Sequence, residues 1–416
     1  MFRAIAASYR DAYTGHNRDV WILSVASLIN RSGTMVLPFL ILFLTEERAF
    51  SAADAGKVLA LYGIGGMLAS YLGGWMGDRF GPGRVMQASL ALTGIGFLVL
   101  GRLHDRTALV LTIAFVGVAG EMFRPANATA LASASPPGGR AKAFALYRLA
   151  VNAGMTLGPA IGGFLALRDY DLLFIVDGVT CLLAALLLRL TFQDKARTAQ
   201  ASATDPVEPT AAAPAPALSV WRNVPLQLVL FLNFLMAVVV FQTQSTLPLE
   251  LHDNQGFTEA DIGLVFAINT IVIVLFEMVL VQAVSKYSPL KMVGLGSFLF
   301  CLGFGLLPFG SGFVYVAFTI LVWTVGEMLA FPIVAAVIAD MAGEANIGRA
   351  MGLFNLAFAT AFVVAPLAGT WVYENFGSDV LWYGCGVLGV VTWVGYHALA
   401  GRRGEAPPVS GAEASV

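Results

Sequence analysis

Glu121, Glu277 and Glu327 each lie inside a long apolar stretch, and so do Arg31, Arg124 and Arg148. An ionisable group at the centre of a membrane helix costs roughly 3 kcal/mol on insertion scales, and it persists mainly where it faces a partner or a water-filled cavity. The chemistry open to such groups is proton uptake and release and the recognition of a charged solute. Glu327 sits midway along its stretch with no basic residue within a helical turn or two. Glu121 and Arg124 are three residues apart, hence on one helical face. Arg148 and Asn152 share a face of the next stretch, so Glu121 can pair with either arginine. A carboxylate that is alternately dehydrated and wetted changes its proton affinity with conformation, which is a physical means of coupling proton movement to opening. Glu327 and Glu121 are therefore the leading proton carriers and Glu277 the third. Structural ion pairing is the competing reading of Glu327, and helix packing that of Glu277. Arg31, Arg124, Arg148, Asn152, Gln242, Gln244, Asn269 and Trp323 are candidate solute contacts. Asp177 is placed at the external start of its stretch, as a cap or loop partner.

Catalysis of covalent change finds no support. No nucleophile stands with its base, and Cys181, Cys301 and Cys385 are single residues in apolar stretches. His16, His104, His252 and His397 are scattered, so neither a metal site nor a disulfide framework is expected. No Gly-Lys-Ser/Thr phosphate loop occurs, no basic patch points to nucleic acid, and no cofactor is expected.

The positioning elements follow from composition. The 416 residues are 58% hydrophobic and 12% charged, where soluble domains carry about 25% charged residues. Apolar stretches long enough to cross roughly 30 Å of hydrocarbon recur along the chain. They predict twelve helices, at 20–45, 54–76, 84–101, 108–133, 141–167, 172–192, 223–249, 259–283, 290–308, 312–338, 348–373 and 379–400. The first retains Asn30 and Arg31 and lacks a small-residue cleavage site, so it reads as a span and not a signal peptide. Residues 193–222, rich in Ala, Pro, Ser and Thr, predict a flexible linker between bundles at 1–192 and 223–400, with a tail at 401–416. Sixteen Lys and Arg residues fall on the side of the two termini, against five (Arg48, Lys57, Arg102, Arg106 and Arg168) on the other. This bias places both termini and the linker in the cytoplasm. The expected fold is all-α: twelve transmembrane helices in two pseudo-symmetric six-helix bundles, a monomer in the cell membrane.

A repeat relates the halves. Gly120-Glu121-Met122 in the fourth span matches Gly326-Glu327-Met328 in the tenth, each followed by a proline (Pro125, Pro332) and later by an Arg-Ala pair (Arg140-Ala141, Arg349-Ala350). Duplicated halves are a common way for transporters to build a site near the midplane and rock around it. After the second span runs Gly73-Gly74-Trp75-Met76-Gly77-Asp78-Arg79-Phe80-Gly81-Pro82-Gly83-Arg84. Its glycines at 73, 74 and 77 predict close helix approach and a tight turn, and Asp78 is expected to cap a helix start and pair with an arginine. In the fifth span, Gly154 and Gly158 form a small-residue face beside the helix-loosening Pro159.

These motifs resemble the major facilitator superfamily over nearly the whole chain. The loop from Gly73 to Arg84 is similar to that family's signature loop, which implies a gating role for Gly74, Asp78, Arg79, Gly81 and Arg84. The corresponding second-half loop, Gln282 to Tyr287, lacks the acid. The run Gly154 to Gly163 resembles the antiporter motif, implying that Gly154, Gly158 and Pro159 belong to a gating helix. Gly326-Glu327-Met328 with Pro332, and Gly120 to Asn127, resemble the tenth and fourth spans of proton-coupled oligopeptide transporters. The first span, however, lacks that family's paired glutamates ahead of Arg31. The expected function is proton-coupled export of small amphipathic compounds by alternating access. Proton-coupled import of short peptides or related metabolites is the alternative.

Overall fold

The computed structural model describes residues 16–32, 35–135, 140–192, 222–343 and 346–403. The first fifteen residues, the expected linker up to residue 221 and most of the expected tail lie outside the described residues. What is described is all-α. In chain order the helices are α1 (Arg18–Ser32), α2 (Val36–Leu42), α3 (Ala52–Phe80), α4 (Pro82–Leu100), α5 (Arg106–Glu121), α6 (Phe123–Ala134), α7 (Arg140–Ala166) and α8 (Tyr170–Thr191). There follow α9 (Val224–Val240), the short α10 (Thr246–Leu249), α11 (Glu259–Val284), α12 (Pro289–Gly305), α13 (Phe313–Ala342), α14 (Ile347–Phe376) and α15 (Ser378–Arg403).

Among the described residues, eleven helical segments are long and apolar enough to cross a bilayer. Helices suit that setting because every backbone N–H and C=O is satisfied within the segment. The chain is a multi-pass membrane protein. One expected span falls short of that length. The ninth, expected over 290–308, ends at Gly305 and gives way to a single tight turn, Leu307–Phe309, around Pro308. Its 17 residues reach only about 25 Å. The first is described as α1, up to Ser32, and α2, from Val36, with residues 33–34 outside the described residues. Asp105, Asp169 and Asn223 start α5, α8 and α9 by accepting the backbone N–H of Ala108, Asp171 and Leu226.

The chain divides into two compact units, the first comprising residues 1–49, 61–209 and 258–264 and the second 50–60, 210–257 and 265–416. In the first unit, Leu23, Met86, Phe123, Leu131 and Leu188 belong to one apolar core. In the second, Leu226, Leu290, Val334, Ile338 and Tyr396 do the same.

Candidate functional site

In the second unit, α13 carries Glu327 at its middle and contains no Lys, Arg or His. The half-buried carboxylate is met from α11 by Asn269, whose Nδ2 donates to Glu327 Oε2 at 3.0 Å and to Thr324 Oγ1 at 3.0 Å. Thr324 in turn donates to the carbonyl of Ile320 at 2.6 Å. The chain is directional: a hydroxyl with its hydrogen committed to the helix can only accept from the amide. One turn ahead of Glu327, buried Trp323 lies against Phe300 and Phe304, with ring centroids 5.6 and 4.5 Å away. Glu277, also on α11, is half-buried. α13 is seated on α12 at Gly326 and Gly296, where added β-carbons would meet backbone atoms of the facing helix.

Gln242 is not placed to meet a solute. Its Nε2 donates to the carbonyls of Val238 and Ala365, at 3.3 and 3.1 Å, while its Oε1 accepts from Ser245 and Thr246. Two donors and two acceptor sites are thereby used, and only 2% of the residue is exposed. It is a cross-link tying the end of the seventh span to α14, which corrects the expectation of a solute contact. Gln244 is half-buried, and its Oε1 has no hydrogen-bond partner among the described residues.

The first unit gathers the other charges. Glu121 ends α5 and pairs with Arg124 of α6 at 3.5 Å, so the carboxylate has a basic neighbour within one turn. Arg124 and Arg148 are exposed, and Arg31 and Asn152 half-buried. Arg31 is held close to α7: a β-carbon on Gly154 would lie 2.6 Å from Arg31 Cβ and 2.9 Å from the backbone N of Ser32. The glycine face expected of the fifth span is thus pressed on the end of α1. Gly162, two turns on, faces Met35 and Phe39. Gly158 is buried, and α7 runs unbroken through Pro159.

Asp177 corrects another expectation. It lies inside α8, with 2% exposure, and its Oδ2 accepts the backbone N–H groups of Met35 and Val36 at 3.2 and 3.3 Å. The role is a cap, as expected of it, but the helix capped is α2. Its other oxygen lies 4.0 Å from the Cys181 thiol, which receives Asn30 Nδ2 at 3.7 Å. The signal available in the sequence was an acid inside the apolar run from Leu172 to Leu190.

The loop after the second span also differs from expectation. Gly73 makes a close approach, with its β-carbon direction 2.9 Å from the carbonyl of Met122 and from Pro125. Gly74 and Gly77 have nothing within 4 Å in that direction. Neither serves close packing: Gly74 lies on another side of the helix, and Gly77, one turn on from Gly73 and on its face, meets no facing atoms. Among the described residues Asp78 caps no helix: it stands in the last turn of α3, and the residue before α4 is Gly81, at φ +91°. That left-handed conformation is where glycine is needed. Asp78, Arg79 and Arg84 are exposed, with the Arg79 guanidinium 5.7 Å from the Trp75 ring centroid.

The family model of the Major Facilitator Superfamily matches residues 20–258 and 229–415. The chain is 23% identical over 387 residues to the Na(+), Li(+), K(+)/H(+) antiporter of Planococcus maritimus, covering 85% of this chain and 89% of that protein. It is 23% identical over 334 residues to the quinolone resistance protein NorA of Staphylococcus aureus (strain MSSA476), covering 80% and 84%. The crystal structure of a mutant of the peptide transporter POT with alafosfalin superposes at a TM-score of 0.75 and 16% identity, covering 93% of this chain and 96% of that one. That likeness shows a shared fold.

Proposed function

This chain belongs to the Major Facilitator Superfamily, and on that premise we propose that its secondary active transport is driven by protons carried on Glu327. The observation that carries the reading is a single half-buried carboxylate at the middle of a span without basic residues, bound by a neutral amide from the facing helix. Glu121, with Arg124 beside it, serves as an ionised partner. In the same reading the twelve predicted spans form two six-helix bundles joined by a cytoplasmic linker, and both termini are cytoplasmic. Arg31, Arg124, Arg148 and Asn152 are solute contacts of the first unit, and Gln244 and Trp323 are solute contacts of the second. Asp78, Arg79 and Arg84 act at the cytoplasmic gate, and Gly154, Gly158 and Pro159 give α7 its gating surface.

For the cargo we place uptake of short peptides or related metabolites ahead of export of small amphipathic compounds, reversing the order reached from the sequence. A peptide transporter shares this fold over 93% of this chain. That likeness also accords with the fourth- and tenth-span runs around Glu121 and Glu327. Export keeps the support of the quinolone resistance protein, the cation/proton antiporter and the antiporter-like run in α7. The test is simultaneous proton and solute flux in liposomes, with a labelled dipeptide and a quinolone as probes under imposed proton or sodium gradients. Glu327→Gln is expected to abolish the response to a proton gradient while leaving exchange of solute for solute. Uphill transport by that variant at wild-type proton stoichiometry would remove Glu327 from the role.

A further inference from the structure

α11 is poorly covered along its second half, where Leu275, Phe276, Met278 and Val279 are exposed. Its polar hold on α13 is Asn269, and the geometry there responds to one charge state of Glu327. The amide nitrogen has two hydrogens, one for Thr324 and one for the carboxylate. Thr324 has spent its own hydrogen on Ile320, so the amide must present N–H to it. That orientation also presents N–H to Glu327. It suits an ionised carboxylate, which only accepts, and a bond to the charged form is roughly twice as strong as a neutral one.

A proton arriving from water on Glu327 changes both terms. The remaining bond from Asn269 becomes a neutral one, and a new O–H donor needs an acceptor. Asn269 can offer its Oδ1 only by turning over, which would bring that oxygen against the lone pairs of Thr324. Thr324 therefore penalises the orientation that would suit the protonated acid. Resting on the reading of Glu327 as the carrier, we infer that Asn269 and Thr324 form a charge-reading clasp: ionised Glu327 holds α11 to α13, and its protonation releases them. Asn269 is then a positioning residue and not a solute contact.

Other charges facing this point are few. α9 has none, α12 brings only Lys291 at its start, and α14 has Arg349, Tyr373 and Glu374 near its two ends. α11 itself contributes Glu259 and Asp261 in its first turn and Glu277, the carboxylate that acts electrostatically on Glu327.

The test is a distance measurement that needs no solute. Cys181, Cys301 and Cys385 are buried, so spin labels can be directed to Leu275→Cys and Leu321→Cys on exposed faces of α11 and α13. Electron–electron distances in liposomes are recorded at acid and alkaline pH. The wild-type background is expected to give a short, narrow distribution in alkali and a longer, broader one in acid. Glu327→Gln should show the long distribution at every pH. Thr324→Val should lose most of the pH response, and Thr324→Ser, which restores the hydroxyl, should recover it. Asn269→Ala should stay long throughout. A pH response that persists in Glu327→Gln overturns the carrier reading on which the clasp rests. A response lost in Glu327→Gln but intact in Asn269→Ala and Thr324→Val overturns the clasp alone.

Discussion

Gly326→Ala should unseat the helix that carries Glu327, whereas Gly120→Ala, the same change in the matching tripeptide of the first half, should be tolerated. A β-carbon on Gly326 would overlap the backbone nitrogen of Phe300 and lie 2.6 Å from the carbonyl of Gly296. Gly296 reciprocates, its β-carbon direction reaching Ala330 N at 2.7 Å. These neighbours are main chain, so no rotamer change relieves the overlap and α12 and α13 must separate. Overpacking of a tight interior costs about 1–3 kcal/mol, and rigid neighbours put this site at or above the upper end. At 2–4 °C per kcal/mol for domains of this order, detergent-solubilised protein should lose about 5 °C or more in melting temperature. At Gly120 the nearest atoms are Thr93 Oγ1 at 3.4 Å and Cγ2 at 3.6 Å, an ordinary contact. There the better helix propensity of alanine should leave the melting temperature equal or slightly raised. The assay is a thermal-shift series on purified protein, paired with proton-driven transport, which Gly326→Ala should also weaken by shifting Glu327 from Asn269. Equal melting of wild type and Gly326→Ala would refute the close approach of α12 and α13.

Two further outcomes follow from the geometry and the charge bias. Asp177→Ala leaves the N–H groups of Met35 and Val36 buried without acceptors, at about 1–3 kcal/mol each. It should lower the melting temperature more than Asp177→Asn, which keeps one oxygen, and equal values for the two would show that α2 finds another cap. A cysteine placed in 193–219 should resist an impermeant thiol reagent applied to intact cells and react in inverted vesicles; labelling from outside would reverse the topology.

The spans were legible because bilayer thickness imposes one length on every apolar run. What escaped the sequence has a common cause, a partner far away along the chain. Gln242 looks like a cavity amide until Ala365 supplies its acceptor from α14. Asp177 looks like a loop cap because its partners are backbone N–H groups, which no residue type advertises. Asn269 and Glu327 were both singled out as polar residues in apolar runs, but only the hydrogen bond from α11 to α13 makes them a pair. Gly74 and Gly77 failed for the opposite reason. A glycine pattern states where close approach is permitted, and only a facing backbone decides where it happens.

The repeated tripeptide puts the same three residues in two different settings. Glu121 and Glu327 both stand between Gly and Met, yet Glu121 has Arg124 one turn away and a loosely packed Gly120, while Glu327 has an uncharged partner and a Gly326 pressed on backbone. A carboxylate beside a guanidinium is favoured in its charged form whichever way the surrounding cavity opens, so its proton occupancy carries little information about conformation. A carboxylate whose partner is an amide keeps no compensating charge, and the two protonation states differ by the whole of its own. The tight seat of Gly326 on α12 then has a use beyond packing. It fixes the height of Glu327 against Asn269, so that the difference between the two states is expressed as a movement of α11 and not absorbed by a shift of α13.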